Sequence, residues 1–182
     1  MQPVSTPQAQ YDRATLWFHW STAVLVLAQW IGAKTIDIWP KGALQVDAIS
    51  MHITGGALLG LLVLVRIWWR ATRGRRLPEI DSGYLKMLAK AVHRGLYLAI
   101  LVVVALGLTM VSLRSMSYFN LFMLPTLGTA SRPLLRSIHG YHELIATAIL
   151  IAAGLHAAMA LVHQYIWRDG LLSRMIPQTS VR

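Results

Sequence analysis

The chain has 182 residues, enough for one domain. It is 55% hydrophobic, only 13% charged and has a mean hydropathy of +0.51, which sets it apart from ordinary soluble domains. It contains no cysteine, which excludes disulfides, iron–sulfur clusters, thiolate ligation and covalent haem attachment.

The few charges cluster, and the gaps between them predict the elements. Residues 1–12 are polar, carry Pro3 and Pro7, and read as an N-terminal tail. Twenty uncharged residues then separate Arg13 from Lys34, giving a first helix over about 14–35. A cleaved signal peptide is the competing reading of this run. Its length, its His19, its three tryptophans and its lack of cations before Arg13 weigh against cleavage. Eighteen uncharged residues between Asp47 and Arg66 predict a second helix over about 46–70. A basic loop with Gly and Pro breakers follows at 71–84. The third helix is expected at 86–113, containing nineteen uncharged residues between Arg94 and Arg114. The connection 114–133 is rich in Ser, Thr, Pro and aromatics, and its Tyr118–Leu124 stretch is apolar enough to lie on a membrane surface. The fourth helix is expected at 134–168, where Glu143 is the only charge between Arg136 and Arg168. Residues 171–182 read as a C-terminal tail.

Each apolar window is long enough to cross a hydrocarbon core of about 30 Å, and backbone in lipid must satisfy its own hydrogen bonds. The expectation is an all-α membrane protein, a four-transmembrane-helix bundle over 13–170. Lys and Arg set its direction. Twelve fall on the side of the termini and the 71–84 loop, and five on the other, so both termini are expected in the cytoplasm. The net charge of +10 belongs to these helix flanks and does not indicate nucleic acid. All seven tryptophans fall near expected helix ends, as an interfacial belt requires.

Seven histidines in so apolar a chain demand a reason, because ionisable groups within spans are costly. His19 lies near the inner start of the first helix and His52 near the outer start of the second. His142 and His156 share the fourth helix, fourteen residues apart. That spacing leaves both on one face, separated by about 21 Å along the axis. Depth then pairs His52 with His142 and His19 with His156. Two facing imidazoles in an apolar bundle make a bis-histidine haem site, with one pair in each leaflet. Gly55, Gly56, Gly60, Gly140 and Gly154 near these positions fit close approach of a porphyrin, or only helix packing. Interhelical hydrogen bonding is the bland alternative for each histidine. A zinc or copper site is a weaker alternative, since no His pair has i, i+4 spacing and no acidic cluster accompanies them.

Several segments carry a family resemblance: FHW at 18–20, MHITGG at 51–56, LVRIWWR at 64–70, YHE at 141–143 and GLHAAMALVHQYIWRDGLLSRM at 154–175. Together they resemble the bacterial cytochrome b561 family over about 11–177, with the 114–133 loop matched weakly. The resemblance implies a four-helix, multi-pass cytochrome of the bacterial inner membrane with two haem b. It implies axial ligands at His19, His52, His142 and His156, in the pairs that depth had selected. The superoxide oxidases of that family look most similar. They imply oxidation of superoxide to dioxygen at the periplasmic side and reduction of ubiquinone.

The other polar groups stay open at this level. His163 reads as a quinone or proton contact, an interfacial residue, or a rival of His156. His93 reads as facing headgroups or a propionate. Arg132 and Arg136 are candidate propionate contacts or headgroup contacts. Glu143 is a candidate proton route or a surface residue. The outer loops carry a basic excess that can steer an anion. An electron-carrier subunit serving a dehydrogenase or periplasmic partner is the alternative function, and a metal transporter or non-redox membrane protein the second. Partners expected are the lipid bilayer, ubiquinone and superoxide or another small donor; no protein partner is specified.

Overall fold

Four long helices carry the chain in the computed structural model, which describes residues 10–78 and 82–176. They are α1 (Arg13–Thr35), α2 (Ala43–Thr72), α3 (Gly83–Ser112) and α4 (Arg132–Val162). The expected elements are all present, with ends displaced by a few residues. The expectations for 1–9, 79–81 and 177–182 lie outside the described residues.

Local chemistry sets the helix ends. Asp12 caps α1, its Oδ1 accepting from Thr15 N at 2.8 Å. Ser131 caps α4 and Pro133 sits in its first turn, where a missing N–H costs nothing. Gly42 precedes α2 at φ 119°, a conformation closed to side-chain-bearing residues. The expected α-helix to 168 ends earlier: α4 gives way to a π-turn over His163–Trp167, and Arg168 adopts φ 54°. This wider turn re-aims the chain before a short 3-10 segment at Leu172–Met175.

The helices pack in sequence, α1 on α2, α2 on α3, α3 on α4, and α1 meets α4 to close the ring. Leu59 and Val63 of α2, Ile100 and Val103 of α3 and Ile149 of α4 form the buried centre. Outward-facing residues are apolar too, among them Val24, Leu61, Leu98, Leu144 and Ile151. A bundle hydrophobic on both its inner and outer surfaces is built for lipid. α2, α3 and the stretch Arg132–Trp167 are each long and apolar enough to cross a membrane. α1 has 23 residues, about 35 Å of helix, but His19, Gln29 and three tryptophans dilute its apolar character.

The 114–133 connection contains an antiparallel hairpin, Ser117–Tyr118 (β1) paired with Phe122–Met123 (β2), which sequence pattern did not announce. Its turn residues Phe119 and Asn120 have φ 49° and 57°, the backbone of a tight primed turn without its usual glycine. The hairpin is pinned to α2. Ser50 Oγ accepts from Phe119 N at 2.9 Å, Tyr118 Oη bonds Thr54 Oγ1 at 2.6 Å, and Asn120 Nδ2 reaches Asp47 Oδ1 at 2.8 Å.

At the opposite end, the two expected tails are fastened where the structure describes them. Gln10 Nε2 donates to the Ile176 carbonyl at 2.8 Å, and Trp20 Nε1 to the Met175 carbonyl at 2.9 Å. Asp12 also accepts from Trp69 Nε1 and Arg75 N. Its burial raises the carboxyl pKa, but these bonds and those from Thr15 outweigh that and hold it at about 2.

Candidate haem-binding sites

α4 supplies a histidine to each of two clusters, and antiparallel α1 and α2 supply the partners. His19 stands near the start of α1 and His52 near the start of α2, so the two helices bring them to opposite ends of the bundle. The ring centroids of His52 and His142 are 6.2 Å apart with planes at 74°. Those of His19 and His156 are 6.3 Å apart with planes at 68°. The depth argument anticipates both pairings.

These separations test whether an iron porphyrin fits. With a metal about 2.0–2.1 Å from each ligating nitrogen, and each nitrogen about 1.1 Å from its ring centroid, in-line imidazoles have centroids about 6.3 Å apart. Stacked or hydrogen-bonded rings would sit closer. Both pairs meet the metal-spanning value.

Proton positions add to the fit at the first cluster. His142 Nδ1 lies 2.9 Å from the Val103 carbonyl, which can only accept, so Nδ1 carries the proton. The neutral ring then keeps its Nε2 lone pair for a metal, the usual arrangement for a ligating histidine. Gly107, one turn beyond Val103 on α3, leaves room for this ring. A Cβ there would stand 3.2 Å from His142 Cε1. On the facing ring, His52 Nδ1 is buried beside the Gln29 backbone.

The second cluster is more crowded. His93 of α3 lies 4.9 Å from the His156 ring, and its Nδ1 donates to the Ala89 carbonyl at 2.6 Å. It stands beside the His156 ring while the residue itself is exposed on α3. Arg66 of α2 donates from Nη2 to His19 Nδ1 at 2.9 Å and lies over the Tyr97 ring at 5.2 Å. In the sequence Arg66 reads only as a charge flanking the second helix. The signal available was its position one turn inside Arg70, at the end of an apolar run.

The remaining candidates stand apart from the paired rings. His163 is buried in the π-turn, where its Nδ1 meets Asp169 Oδ2 and its ring packs on Trp167. Glu143 is exposed and forms an ion pair with Lys34 of α1. Arg132 and Arg136 are exposed on the first turns of α4. Among the described residues, no group of three or more His, Cys, Asp or Glu is placed to hold a metal ion. Each site offers a facing pair of imidazoles, with His93 beside the second pair, and a facing pair suits a porphyrin-bound metal better than a tetrahedral ion.

Comparisons with known proteins give the family. A family profile described as prokaryotic cytochrome b561 matches residues 10–178. The cytochrome b562 of Cereibacter sphaeroides is 31% identical, over 94% of this chain and 98% of the relative. The probable superoxide oxidase CybB of Yersinia pestis is 27% identical, over 93% and 97% respectively. The cytochrome b561 homolog 2 of Escherichia coli is 25% identical, over 99% and 97%. The chain belongs to the prokaryotic cytochrome b561 family, the multi-pass membrane b-type cytochromes of electron transfer.

Proposed function

We propose that this cytochrome binds two haem b, one between His52 and His142 and one between His19 and His156. We further propose that it oxidises superoxide at the periplasmic face and reduces ubiquinone in the bacterial inner membrane. In this reading α1 is the fourth span, and both termini lie in the cytoplasm. The observation that carries the reading is the pair of metal-spanning ring separations, 6.2 and 6.3 Å, at two depths of one helix.

Bound haem supplies a one-electron carrier whose potential the axial imidazoles and burial tune. The chain does the rest. Val103 holds the His142 ring in the ligating tautomer. The apolar helices keep water from both sites. The basic excess of the outer loops attracts an anionic donor. The net reaction balances as two superoxide ions, one ubiquinone and two protons giving two dioxygen and one ubiquinol. His163, bonded to Asp169 near the cytoplasmic end, is the candidate group for quinone or proton contact. Arg132, Arg136 and Glu143 remain candidates for the outer surface, the first two as carboxylate contacts and Glu143 as a proton route.

Haem quantitation of the purified protein tests the cofactor count. Two haems per chain are expected, with His52→Ala losing one and His19→Ala the other. A colourless protein, or one haem per chain, overturns the reading. Accelerated loss of superoxide with added ubiquinone tests the reaction. Failure there with both haems present supports the alternative of an electron carrier, as which the 31% identical relative, named only as a cytochrome, can equally be read.

A further inference from the structure

Arg66 carries a half-buried guanidinium whose Nε is fully withdrawn from solvent. Nη2 donates to His19 Nδ1 and the guanidinium lies over Tyr97, but Nε is buried with no acceptor. No carboxylate among the described residues pairs with it. Asp12, the described acid near this end of α2, is occupied by Thr15, Trp69 and Arg75. A cation partly withdrawn from water without an anion is costly.

The contact with His19 cannot survive metal binding through Nε2. Arginine only donates, so His19 Nδ1 must present its lone pair to Arg66. A neutral histidine in that tautomer carries its proton on Nε2. Ligation through Nε2 moves the proton to Nδ1, and then two donors face each other. Arg66 must turn away, already lacking an acceptor at Nε. A group that fits is a planar carboxylate beside the ring plane of the ligated His19, which a guanidinium grips with two parallel N–H bonds.

We propose that Arg66 is the carboxylate-binding residue of the inner site, turning from His19 onto a propionate of the haem held by His19 and His156. The proposal rests on the two-haem reading. Arg66 acts as a positioning residue: it touches the macrocycle's edge, orients it between the helices and keeps the propionate ionised within the bundle. Its charge favours the reduced, less positive iron, so the inner centre is the easier one to reduce than it would be without Arg66.

The test uses the purified holoprotein and its Arg66→Gln and Arg66→Lys variants. Redox titration follows both haems, and infrared redox-difference spectra follow propionates carrying ¹³C at the carboxyl. In Arg66→Gln the inner reduction equilibrium is expected to fall at least tenfold, a drop of about 59 mV for a one-electron couple. The outer haem should not move. Arg66→Lys keeps the charge and so most of the potential, but it loses the two-pronged grip and shifts the propionate band. Should the Gln variant fail to fold, the band in the Lys variant decides. An unshifted band in the Lys variant, or an unmoved inner potential in the Gln variant, overturns the assignment while two haems remain. A wild-type protein lacking the inner haem overturns the two-haem reading itself.

Discussion

Replacing Gly107 tests how tightly the bundle holds the outer imidazole. An alanine Cβ would stand 3.2 Å from His142 Cε1 and 3.6 Å from Nδ1, so the ring must yield by a few tenths of an ångström. That rotation costs about 0.5–1.5 kcal/mol. Alanine recovers about 0.8–1.0 kcal/mol of helix propensity. Gly107→Ala should therefore be near neutral in overall stability. Valine adds two methyl groups beyond the same Cβ, and overpacking of that kind costs about 1–3 kcal/mol. Displacing the ring also lengthens its 2.9 Å bond to the Val103 carbonyl, and the stranded Nδ1–H donor adds about 1–3 kcal/mol. The combined effect is about 2–6 kcal/mol focused on one site, where each 1.4 kcal/mol is tenfold in binding. Gly107→Val should therefore lose the outer haem, or show a shifted outer spectrum, while the inner haem stays. Haem quantitation and reduced-minus-oxidised spectra resolve the two. If Gly107→Val keeps both spectra unchanged, the ring does not sit against α3 as described.

Three further changes probe the frame. Asp12→Ala removes the α1 cap and should cost about 0.5–2 kcal/mol, read as a lower melting temperature in detergent. Because the folded Asp12 carboxyl is depressed to about 2, its contribution is complete above the unfolded value near 4 and fades as pH falls from there toward 2. The melting difference between wild type and Asp12→Ala should therefore shrink as pH is lowered through that window, and a constant difference would contradict the assignment. Ser50→Ala leaves the Phe119 amide without its 2.9 Å acceptor, a loss of about 1–3 kcal/mol local to the hairpin. Faster hydrogen exchange at residues 117–123, with both haem spectra intact, is the expected reading. Lys34→Gln breaks an exposed ion pair and should leave melting and both haem spectra unchanged; a lost outer haem would show that the pair holds α1 against α4.

The chain announces its helices because lipid imposes a long apolar period that few charges interrupt. The residues that give the site its detail are harder to see. His142 and His156 declare a shared face by their own spacing, since both lie on one helix. His93 does not, because its neighbour lies on another helix and Arg94 beside it looks interfacial. Gly107 has no visible role until the His142 ring is placed against it. Arg66 looks like a flank cation because a helix end with a charge satisfies the topology rule whether that charge faces water or the core. The hairpin is hidden for a local reason: Phe119 and Asn120 take left-handed backbone without the glycine that marks such turns. Its hold comes from Ser50, Thr54 and Asp47, more than sixty residues earlier.

The two clusters follow from one register. On α4, fourteen residues separate His142 from His156; on antiparallel α3, fourteen separate His93 from Gly107. The structure sets His93 against His156 and Gly107 against His142. Fourteen residues are close to four full turns, so both members of each pair stay on the facing surface. The antiparallel direction then makes the first residue of one pair meet the last of the other. α3 provides neither ring of the two metal-spanning pairs, yet it touches the α4 ring of both, through the Val103 carbonyl and Gly107 at one depth and His93 at the other. α1 and α2 each bring one imidazole, and their opposite directions place His19 and His52 at opposite ends. A division between ligand-bearing and ring-orienting helices thus arises from topology and a shared spacing, with no sequence repeat to produce it. The two sites still differ in the charge beside them. Arg66 stands at the His19 and His156 site, where it donates to His19 Nδ1. In the two-haem reading, a cation near one of two otherwise similar centres makes that centre the better electron acceptor. If both sites hold haem as proposed, the arrangement that duplicates the site also gives electron flow a direction, from the hairpin end toward the end that bears the termini.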